Sequence, residues 1–469
     1  MDRAAFLYRQ FLQQFPYEVT GCQRTMLQSV ASFLTSDDGD ILVVNGYAGT
    51  GKTTAVSAVV SALVSLSLPP VLLAPTGRSA KVLARYAGRN ASTIHKFIYR
   101  QQSFGADGTG LFSLAPNKAR NTLFIVDEVS LIGIAAAEGG GVFGSGDLLA
   151  DLVRFVRAGT DCRLLLLGDG AQLPPVGLDA SPALSPDYMA GFGGVSFVTM
   201  TTVVRQAADS GILVNATHLR EALGTSPERF RFAPDGFSDM ERIGGGELLD
   251  ALSDAYARYG EDEVVVLSRS NKRAGRYNMG IRAQVLYREE QLVRGDKLMV
   301  VKNHYLDTLE GTDYIANGDI ATLVWIKHFE ERYGLHFADA CLAFPDYDKQ
   351  EVTMKVLLDT LTSDSPALGY EQSQALYQGV SADYAHITTK KKRYEAVRSD
   401  PFYSALQIKY AHAITGHKAQ GGQWNCVFID NPVWQEPLTD DDIKWLYTAL
   451  TRAVEKVYLV NFPDNLFIV

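Results

Sequence analysis

The sequence predicts an α/β protein with two parallel-sheet units and a small β-rich insertion in the second unit. Short apolar runs alternate with helical patterns in the first half of the chain and again near its end, as in parallel sheets whose strands are joined by helices. Polar motifs follow these runs, at the carboxyl ends of strands where ligands bind in open α/β sheets. Residues 295–402 instead show short alternating strands among turns.

The first unit contains five predicted strands, each a short, mostly apolar run that ends at a turn. They are ILVVN (41–45), VLLAP (71–75), TLFIVDE (122–128), RLLLLGD (163–169) and SFVTM (196–200). Helical patterns follow the first two strands, at 52–66 and 77–87. A helix between successive strands is what a parallel sheet requires.

Residues 97–114 interrupt this alternation. FIYRQQSF and LFSL are two β-compatible runs joined by GADGTG, whose Asp107-Gly108 step is a strong turn signal. We therefore predict a β-hairpin insertion at about 97–118. A second interruption, EGGGVFGSG at 138–146, is rich in glycine and predicts a mobile loop.

The second unit begins at EVVVLSRS (263–270), continues into a helix at 271–285 and resumes after the insertion. Its later pieces are YSALQIKYAHAITG (403–416), WNCVFID (424–430) and KVYLVNF (456–462). These patterns divide the chain into a first domain at 1–210, a second domain at 211–294 and 403–469, and an inserted β-rich domain at 295–402. Residues 361–385 are turn-rich and receive no assignment.

Length and composition agree with a multidomain globular protein. The chain has 469 residues, of which 46% are hydrophobic and 21% charged, and its net charge of −9 argues against wholesale coating of nucleic acid while allowing a local basic channel. It has no run of eighteen apolar residues and no secretory signal, so we expect no membrane partner. Four widely spaced cysteines fit a reducing compartment, and we expect a cytoplasmic monomer.

The run GYAGTGKT (46–53) matches G-x-x-x-x-G-K-[ST] between a predicted strand and a helix, the context of a phosphate-binding loop. Glycines let backbone N–H groups converge on phosphate oxygens, and the helix N-terminus adds a favourable dipole. Lys52 would reach the β- and γ-phosphates, and Thr53 would bind Mg²⁺. The alternative is a glycine-rich turn with a solvated lysine. The predicted nucleotide-binding residues of this loop are Gly46, Gly49, Thr50, Gly51, Lys52, Thr53 and Thr54.

Two later strand ends carry the groups that hydrolysis needs. Asp127 would hold Mg²⁺, and Glu128 would orient or deprotonate the attacking water, whereas the alternative is a solvent-facing strand end. Having a glutamate directly after the aspartate favours transfer to water over transfer to a small molecule. In GDGAQLPPVG (168–177), Gln172 would sense the γ-phosphate from a loop stiffened by prolines.

The order and spacing of these three motifs resemble superfamily 1 helicases of the RecD/Pif/Dda branch. The resemblance spans roughly residues 20–455. It implies two RecA-like P-loop NTPase domains, with a β-hairpin insertion in the first and a small SH3-like β-barrel insertion in the second. It also implies ATP and Mg²⁺ as cofactors, single-stranded DNA and duplex junctions as partners, and ATP-dependent 5′-to-3′ translocation with strand separation.

The resemblance further assigns roles to residues around the nucleotide. Gln23 would contact adenine from a position just before the first strand. Arg205 in VVRQ (203–206) would reach the γ-phosphate, and Arg452 in LYTALTRA (446–453) would be an arginine finger supplied by the second domain. Gly421 is assigned to the nucleotide site as well.

Three further motifs resemble those with which the family contacts DNA: APTGRSAKVL (74–83), STIHKFI (92–98) and AITGHKAQGGQW (413–424). The residues assigned to DNA are Thr76, Gly77, Thr93, His95, Thr415 and His417. A ribose contact near Gln423 stays open, and KKKR (390–393) is a candidate phosphate contact.

Phe104 and Phe112 flank the turn of the predicted hairpin. An apolar tip there would stack on the terminal base pair and act as a wedge. The alternative is a hairpin whose aromatic side chains pack on their own domain.

Two other functions remain open at this point. The chain could be a RecD-like motor subunit of a larger recombination or nuclease complex, although it shows no nuclease-type spacing of Asp, Glu and Lys. It could also be an RNA translocase of the same superfamily, because the motor motifs do not disclose the sugar. Stimulation of ATP hydrolysis by matched DNA and RNA strands distinguishes a DNA helicase from an RNA translocase.

Overall fold

The computed structural model describes residues 2–104, 110–133, 142–203, 209–304, 315–347, 349–433 and 437–468. The helices within these ranges are α1 Arg3–Gln14, α2 Gly21–Phe33, α3 Lys52–Ser65, α4 Gly77–Ala87, α5 Ile94–Ile98, α6 Leu148–Arg157, α7 Pro186–Ala190, α8 Gly211–Ala222, α9 Leu248–Tyr259, α10 Asn271–Gly280, α11 Tyr370–Asp383, α12 Lys390–Arg398, α13 Gly416–Ala419 and α14 Asp440–Leu450.

The strands are β1 Ile41–Gly46, β2 Val71–Ala74, β3 Ala91–Thr93, β4 Tyr99–Phe104, β5 Gly110–Leu114, β6 Leu123–Val126, β7 Val142–Phe143, β8 Arg163–Gly168, β9 Val195–Met200, β10 Met240–Ile243, β11 Val264–Ser268, β12 Lys297–Val300, β13 Ile320–Arg332, β14 Leu335–Phe344, β15 Gln350–Leu357, β16 Leu406–Tyr410, β17 Ala413–Thr415, β18 Trp424–Asp430 and β19 Ala453–Val460. They form two parallel sheets, a closed barrel and a small three-stranded sheet, which confirms the predicted fold class.

The first sheet has the strand order β3-β2-β6-β8-β1-β9, and all its pairings are parallel. Its central strands are buried on both faces, which explains why they appear in the sequence as continuous apolar runs. Alternate residues of β1 face opposite sides, so that Leu42 and Val44 join one core cluster while Ile41 and Val43 join another. The sheet therefore holds its strand ends rigidly between two apolar layers.

The second sheet has the order β10-β19-β18-β11-β17 and is also parallel. The run 403–416, assigned as a whole to the second domain, contains two strands. β17 joins the sheet, whereas β16 pairs with β12 and β15 and closes the barrel, so the insertion extends past the predicted boundary at residue 402. The two strands are separated only by Ala411 and His412, which are both buried, and the sequence pattern therefore shows no break between them.

The barrel has the order β12-β13-β14-β15-β16, and two helices, α11 and α12, lie between β15 and β16 in the chain. Helix α11 occupies most of residues 361–385, the region that received no assignment. Leu376, Val380 and Val397 from the helices pack with Leu335 and Phe337 of β14 in a separate apolar cluster. The basic run at 390–393 forms the first turn of α12, with its three lysines exposed.

The predicted hairpin is formed by antiparallel strands β4 and β5, in which Tyr99 lies opposite Leu114 and Phe104 opposite Gly110. Its turn, at 105–109, lies outside the described residues. The glycine-rich segment predicted to be a mobile loop contributes β7, which pairs in parallel with β5. The Gly144 N–H also donates a 2.8 Å hydrogen bond to the carbonyl oxygen of Phe112. The described part of that segment is therefore a third strand of the hairpin sheet.

No helix in the described ranges combines the length and the apolar character that a membrane crossing requires.

Candidate nucleotide cleft and nucleic-acid interface

The phosphate-binding loop follows β1, and α3 begins at Lys52. Gly49 and Gly51 have φ values of 74° and 75°, in the left-handed region that glycine adopts without strain. A Cβ atom on Gly46 would lie 2.9 Å from Cδ of Lys52, so this glycine leaves room for the lysine chain. The loop thus has the backbone geometry and the lysine position of a phosphate cradle.

Gln23, predicted to contact adenine, is buried beside this loop. Its Oε1 accepts a hydrogen bond from the Thr20 N–H at 2.9 Å, in a capping box that begins α2. Its Nε2 donates to the carbonyl oxygen of Thr50 at 3.0 Å. The structure therefore brings Gln23 to the nucleotide loop, where its amide fixes the backbone of Thr50.

The acidic pair follows β6 at the carboxyl end of the first sheet. Oδ1 of Asp127 accepts the Glu128 N–H at 2.9 Å, and Oδ2 accepts the Tyr86 hydroxyl at 2.5 Å. Glu128 has a φ of 56°, which costs energy for a residue with a side chain. Its Oε2 is buried and finds no hydrogen-bond partner among the described residues. Strain together with an unsatisfied oxygen is typical of a functional carboxylate.

The carboxyl groups of this site share one electrostatic environment. Burial raises the pKa of Glu128, the neighbouring charge of Asp127 raises it further, and the charges of Lys52 and Arg452 lower it. Burial also raises the pKa of Asp169, again opposed by Lys52 and Arg452. Asp169 is a site residue that our sequence analysis did not assign, although it stands at the end of the predicted strand RLLLLGD. The positive charges from both domains therefore act on the same carboxyl groups.

The third motif places Asp169 and Gln172 directly after β8. Asp169 accepts the Ala171 N–H at 3.0 Å and the Tyr447 hydroxyl at 2.7 Å. Oε1 of Gln172 is buried and has no hydrogen-bond partner within the described ranges. Because no hydrogen bond holds this oxygen in place, the Gln172 amide can turn toward a bound ligand. The predicted phosphate-sensing role requires such a movement.

Helix α14 of the second domain completes the cleft. The Tyr447 hydroxyl accepts the Ala48 N–H of the phosphate-binding loop at 2.8 Å, and Oγ1 of Thr448 accepts the Leu173 N–H at 2.8 Å. Arg452 is buried, and its Nε donates to the carbonyl oxygen of Thr448 at 3.0 Å. The predicted arginine finger is therefore held at the cleft by its own helix. Arg205, the other predicted arginine, lies outside the described residues.

The oxygen donors at the cleft suit a magnesium ion. Thr53 is exposed at the start of α3, and Asp127 offers a carboxylate, both of which are the hard ligands that Mg²⁺ prefers. The described residues contain no group of three or more His, Cys, Asp or Glu side chains that could hold a metal alone. Such a donor set fits Mg²⁺, which binds through one or two protein oxygens together with substrate phosphates and water.

Gly421, which was assigned to the nucleotide site, lies against helix α4 of the first domain. The nearest atoms to a Cβ on Gly421 would belong to Ser79 of α4, with Oγ at only 2.3 Å, and its φ of 74° is left-handed. A neighbouring contact stacks the Arg78 guanidinium over the Trp424 ring, 4.1 Å from its centroid. Gly421 thus allows the close approach of the two domains, because only a glycine fits against α4 there.

The predicted DNA contacts of the first domain follow neighbouring strands, β2 and β3. Oγ1 of Thr76 caps α4 by accepting the Ser79 N–H at 3.2 Å, and Oγ1 of Thr93 caps α5 by accepting the Lys96 N–H at 3.3 Å. A Cβ on Gly77 would lie 3.0 Å from Cβ of Ala316, next to the barrel. These three residues therefore share one edge of the first sheet.

The second domain contributes Thr415 at the end of β17 and His417 in α13. Burial lowers the pKa of His417, and it lowers the pKa of His95 in the first domain to about 4. Both imidazoles are therefore neutral near pH 7, so they offer hydrogen bonds rather than charge to a nucleic-acid backbone. Nζ of Lys418 donates to Oδ1 of Asn317 beside the barrel, which joins this interface to the insertion.

Two sequence families match the chain. One, described as an AAA domain, matches residues 21–232, and the other, described as a UvrD-like helicase C-terminal domain, matches residues 410–460. The first match covers the motifs of the first sheet from Gln23 onward. The second covers β17, β18, α14 and the whole of β19, and it includes Arg452 between α14 and β19.

The chain spans about a fifth of the length of the two relatives that it matches in sequence. The ATP-dependent RecD2 DNA helicase of Deinococcus radiodurans is 37% identical over 178 residues, which are 38% of this chain and 21% of that protein. The ATP-dependent DNA helicase dda of Enterobacteria phage T4 is 37% identical over 93 residues, 19% of this chain and 21% of its own length. A crystal structure of Pif1 helicase from Bacteroides with ADP-AlF3 and ssDNA has a TM-score of 0.48 and 14% identity, covering 97% of this chain and 95% of that one.

Proposed function

We propose that the chain is an ATP-dependent DNA helicase, because it is similar to the superfamily 1B helicases of the RecD/Pif/Dda type. It moves 5′ to 3′ on single-stranded DNA and separates the duplex ahead of it. The 5′-to-3′ direction of movement is inferred from the family resemblance alone. Four free cysteines support a cytoplasmic location, and the chain acts as a monomer.

The observation that carries the proposal is a nucleotide site built from both parallel-sheet domains. Lys52 and the loop backbone come from the first domain, whereas Arg452 and Tyr447 come from the second. A site assembled in this way is complete only when the two domains meet. Nucleotide binding and hydrolysis therefore change the domain contact, which is what a translocating motor needs.

The hydrolytic roles follow from the donors at the cleft. The N–H groups of residues 46–53 and the Lys52 ammonium bind the phosphates, while Thr53 and Asp127 would hold Mg²⁺, which would neutralise phosphate charge. Glu128 accepts a proton from the attacking water through Oε2, which has no hydrogen-bond partner among the described residues. Arg452 stabilises the charge that develops on the transferred phosphoryl group.

The DNA strand crosses both domains along the edge marked by Thr76, Thr93 and Thr415. Helix caps and hydroxyls at this edge suit contacts with the phosphate backbone, so binding is largely independent of sequence. The neutral His95 and His417 add hydrogen bonds. The whole chain has a net charge of −9, so DNA binding depends on local contacts such as these and not on the overall charge.

The hairpin sheet is the strand-separating element in this proposal. The Tyr99 hydroxyl at its base donates to the buried Asp151 of α6 at 2.8 Å, which anchors the sheet to the first domain. Phe112 is partly buried and packs against the core of that domain, which favours the packing alternative for this residue. The side chain of Phe104 is not among the described side chains. The wedge proposal therefore depends on the hairpin strands and on the position of Phe104 next to the turn.

Stimulation of ATP hydrolysis tests the proposal. The purified chain is mixed with ATP, Mg²⁺ and matched single strands of DNA or RNA, with Lys52→Ala as the inactive control. DNA should stimulate turnover strongly, and RNA should not. Stronger stimulation by RNA would show that the chain is an RNA translocase and not a DNA helicase. No stimulation by either strand would contradict both functions.

A further inference from the structure

Helix α4 contacts three separate parts of the protein. Near its start, Arg78 stacks on Trp424 of the second domain. One turn later, Nζ of Lys81 lies 3.4 Å from Oδ1 of Asp319 in the barrel insertion. In its last turn, Tyr86 reaches the acidic pair of the nucleotide cleft. This eleven-residue helix therefore runs from the proposed DNA path to the proposed metal site.

Tyr86 is held firmly at the cleft end of α4. Its hydroxyl donates to Oδ2 of Asp127 at 2.5 Å, and its carbonyl oxygen accepts the Ser57 hydroxyl of α3 at 2.9 Å. Its ring packs against the core cluster that contains Val56 and Val60 of α3.

The carboxylate of Asp127 is oriented by two donors. The Glu128 N–H fixes Oδ1, and the Tyr86 hydroxyl fixes Oδ2. The Glu128 N–H comes from the next residue in the chain, whereas Tyr86 is 41 residues away on a different helix. Tyr86 is thus the donor through which the position of α4 affects the carboxylate.

We propose that Tyr86 is a positioning residue, which orients Asp127 for Mg²⁺ and links the metal site to α4 at the DNA path. The inference rests on the proposed function, which assigns Mg²⁺ to Asp127 and DNA to the start of α4. Hydrogen-bond partners of metal ligands typically change metal affinity or activity by about 10–100-fold. Helix α4 contacts the DNA path, the barrel and, through Tyr86, the metal ligand Asp127. A shift of α4 on DNA binding therefore changes the position of the Asp127 carboxylate.

The test compares Tyr86→Phe with Tyr188→Phe. Tyr188 is a matched control in the same domain, because its hydroxyl donates to Oδ2 of Asp147 at 2.7 Å and neither residue belongs to the cleft. Both substitutions keep the ring and remove one hydroxyl–carboxylate hydrogen bond. Thermal unfolding of the two variants checks that each remains folded.

The first readout is binding without turnover. A fluorescent ATP analogue is bound to each variant, with no DNA present, while Mg²⁺ is titrated. Tyr86→Phe should need about tenfold more Mg²⁺ for half-maximal tight binding, and Tyr188→Phe should match the wild type. An unchanged Mg²⁺ requirement in Tyr86→Phe, or an equal rise in both variants, would overturn the positioning role.

The second readout is the stimulation of ATP hydrolysis by single-stranded DNA at saturating Mg²⁺. Tyr86→Phe should lose most of the stimulation while its affinity for DNA stays at the wild-type level. Wild-type stimulation in Tyr86→Phe would overturn the link to α4. If DNA fails to stimulate the wild type, the helicase proposal fails, whereas the Mg²⁺ titration still decides the role of Tyr86.

Discussion

The hydroxyl of Tyr447 donates a 2.7 Å hydrogen bond to Asp169 and joins the second domain to the third motif of the first. The same oxygen accepts the N–H of Ala48 in the phosphate-binding loop at 2.8 Å. One buried hydroxyl therefore connects three motifs that are distant in sequence. The domain contact and the nucleotide site are parts of a single hydrogen-bond network.

Tyr447→Phe should weaken this contact. Losing the hydroxyl leaves the buried Asp169 with one donor fewer, which typically costs about 1–3 kcal/mol, and the phosphate-binding loop loses an acceptor. We expect a lower unfolding temperature and a reduced stimulation of ATP hydrolysis by single-stranded DNA. Tyr277→Phe is the control, because its hydroxyl donates to Asp430 at 2.7 Å within the second domain. The control should lose stability only, and full DNA stimulation in Tyr447→Phe would contradict the coupling.

Glu128→Gln should bind ATP and DNA but hydrolyse ATP very slowly. The amide keeps the shape of the side chain but cannot accept a proton from water. Equilibrium binding of a nucleotide analogue and steady-state turnover measure the two effects separately. Near-native turnover, together with activity in Asp127→Asn, would show that the acidic pair is structural.

Arg452→Ala should retain nucleotide binding and lose turnover by about 10²–10³-fold, the usual cost of one charge-stabilising donor. Lys52→Ala should instead lose nucleotide binding, because its ammonium is part of the phosphate cradle. Isothermal titration with a nonhydrolysable ATP analogue, followed by single-turnover kinetics, distinguishes the two. DNA-stimulated turnover of Arg452→Ala at the wild-type rate would remove the arginine-finger role.

The pH dependence of kcat gives a second test of the same arginine. Burial raises the pKa of Glu128, so the acid limb of the profile should lie above the range of an ordinary glutamate, with activity falling as the pH drops. The charge of Arg452 lowers this pKa, and Arg452→Ala should therefore move the limb to higher pH. A limb that stays in place would mean that Arg452 does not act on Glu128.

Phe104→Ala should leave DNA-stimulated ATP hydrolysis nearly intact and uncouple it from strand separation. Phe112→Ala should mainly lower the unfolding temperature, because this ring packs against the core of the first domain. Parallel assays of ATP turnover, duplex unwinding and thermal unfolding compare the two variants. A joint loss of turnover and unwinding in Phe104→Ala would exclude the wedge.

The chemistry-bearing loops were predictable because each is local in sequence. GYAGTGKT, the acidic pair and GDGAQLPPVG all follow apolar strands buried on both faces, and the parallel sheet brings the carboxyl ends of these strands together. Asp169 lies in GDGAQLPPVG, but the sequence pattern assigned a role only to Gln172 in that motif. The family resemblance supplied Arg452, whose position at the cleft depends on the second domain.

Other features depend on contacts that a local pattern does not reveal. Tyr447 and Ala48 are 399 residues apart, and Tyr86 meets Asp127 through the packing of α4. The strand β16 joins the barrel because of its partners, while its sequence continues smoothly into β17. Phe112 was expected at a wedge and packs on its own domain, because an aromatic residue near a turn suits either place.

Unwinding of tailed duplexes by the purified chain tests the central claim most directly. Three duplexes of one sequence carry a 5′ single-stranded tail, a 3′ tail or no tail, and strand release is followed with ATP and Mg²⁺, with Lys52→Ala as the control. The proposed 5′-to-3′ helicase releases the strand from the 5′-tailed duplex and leaves the other two intact. Release from the 3′-tailed duplex alone would contradict the direction, and no release despite DNA-stimulated ATP hydrolysis would contradict strand separation.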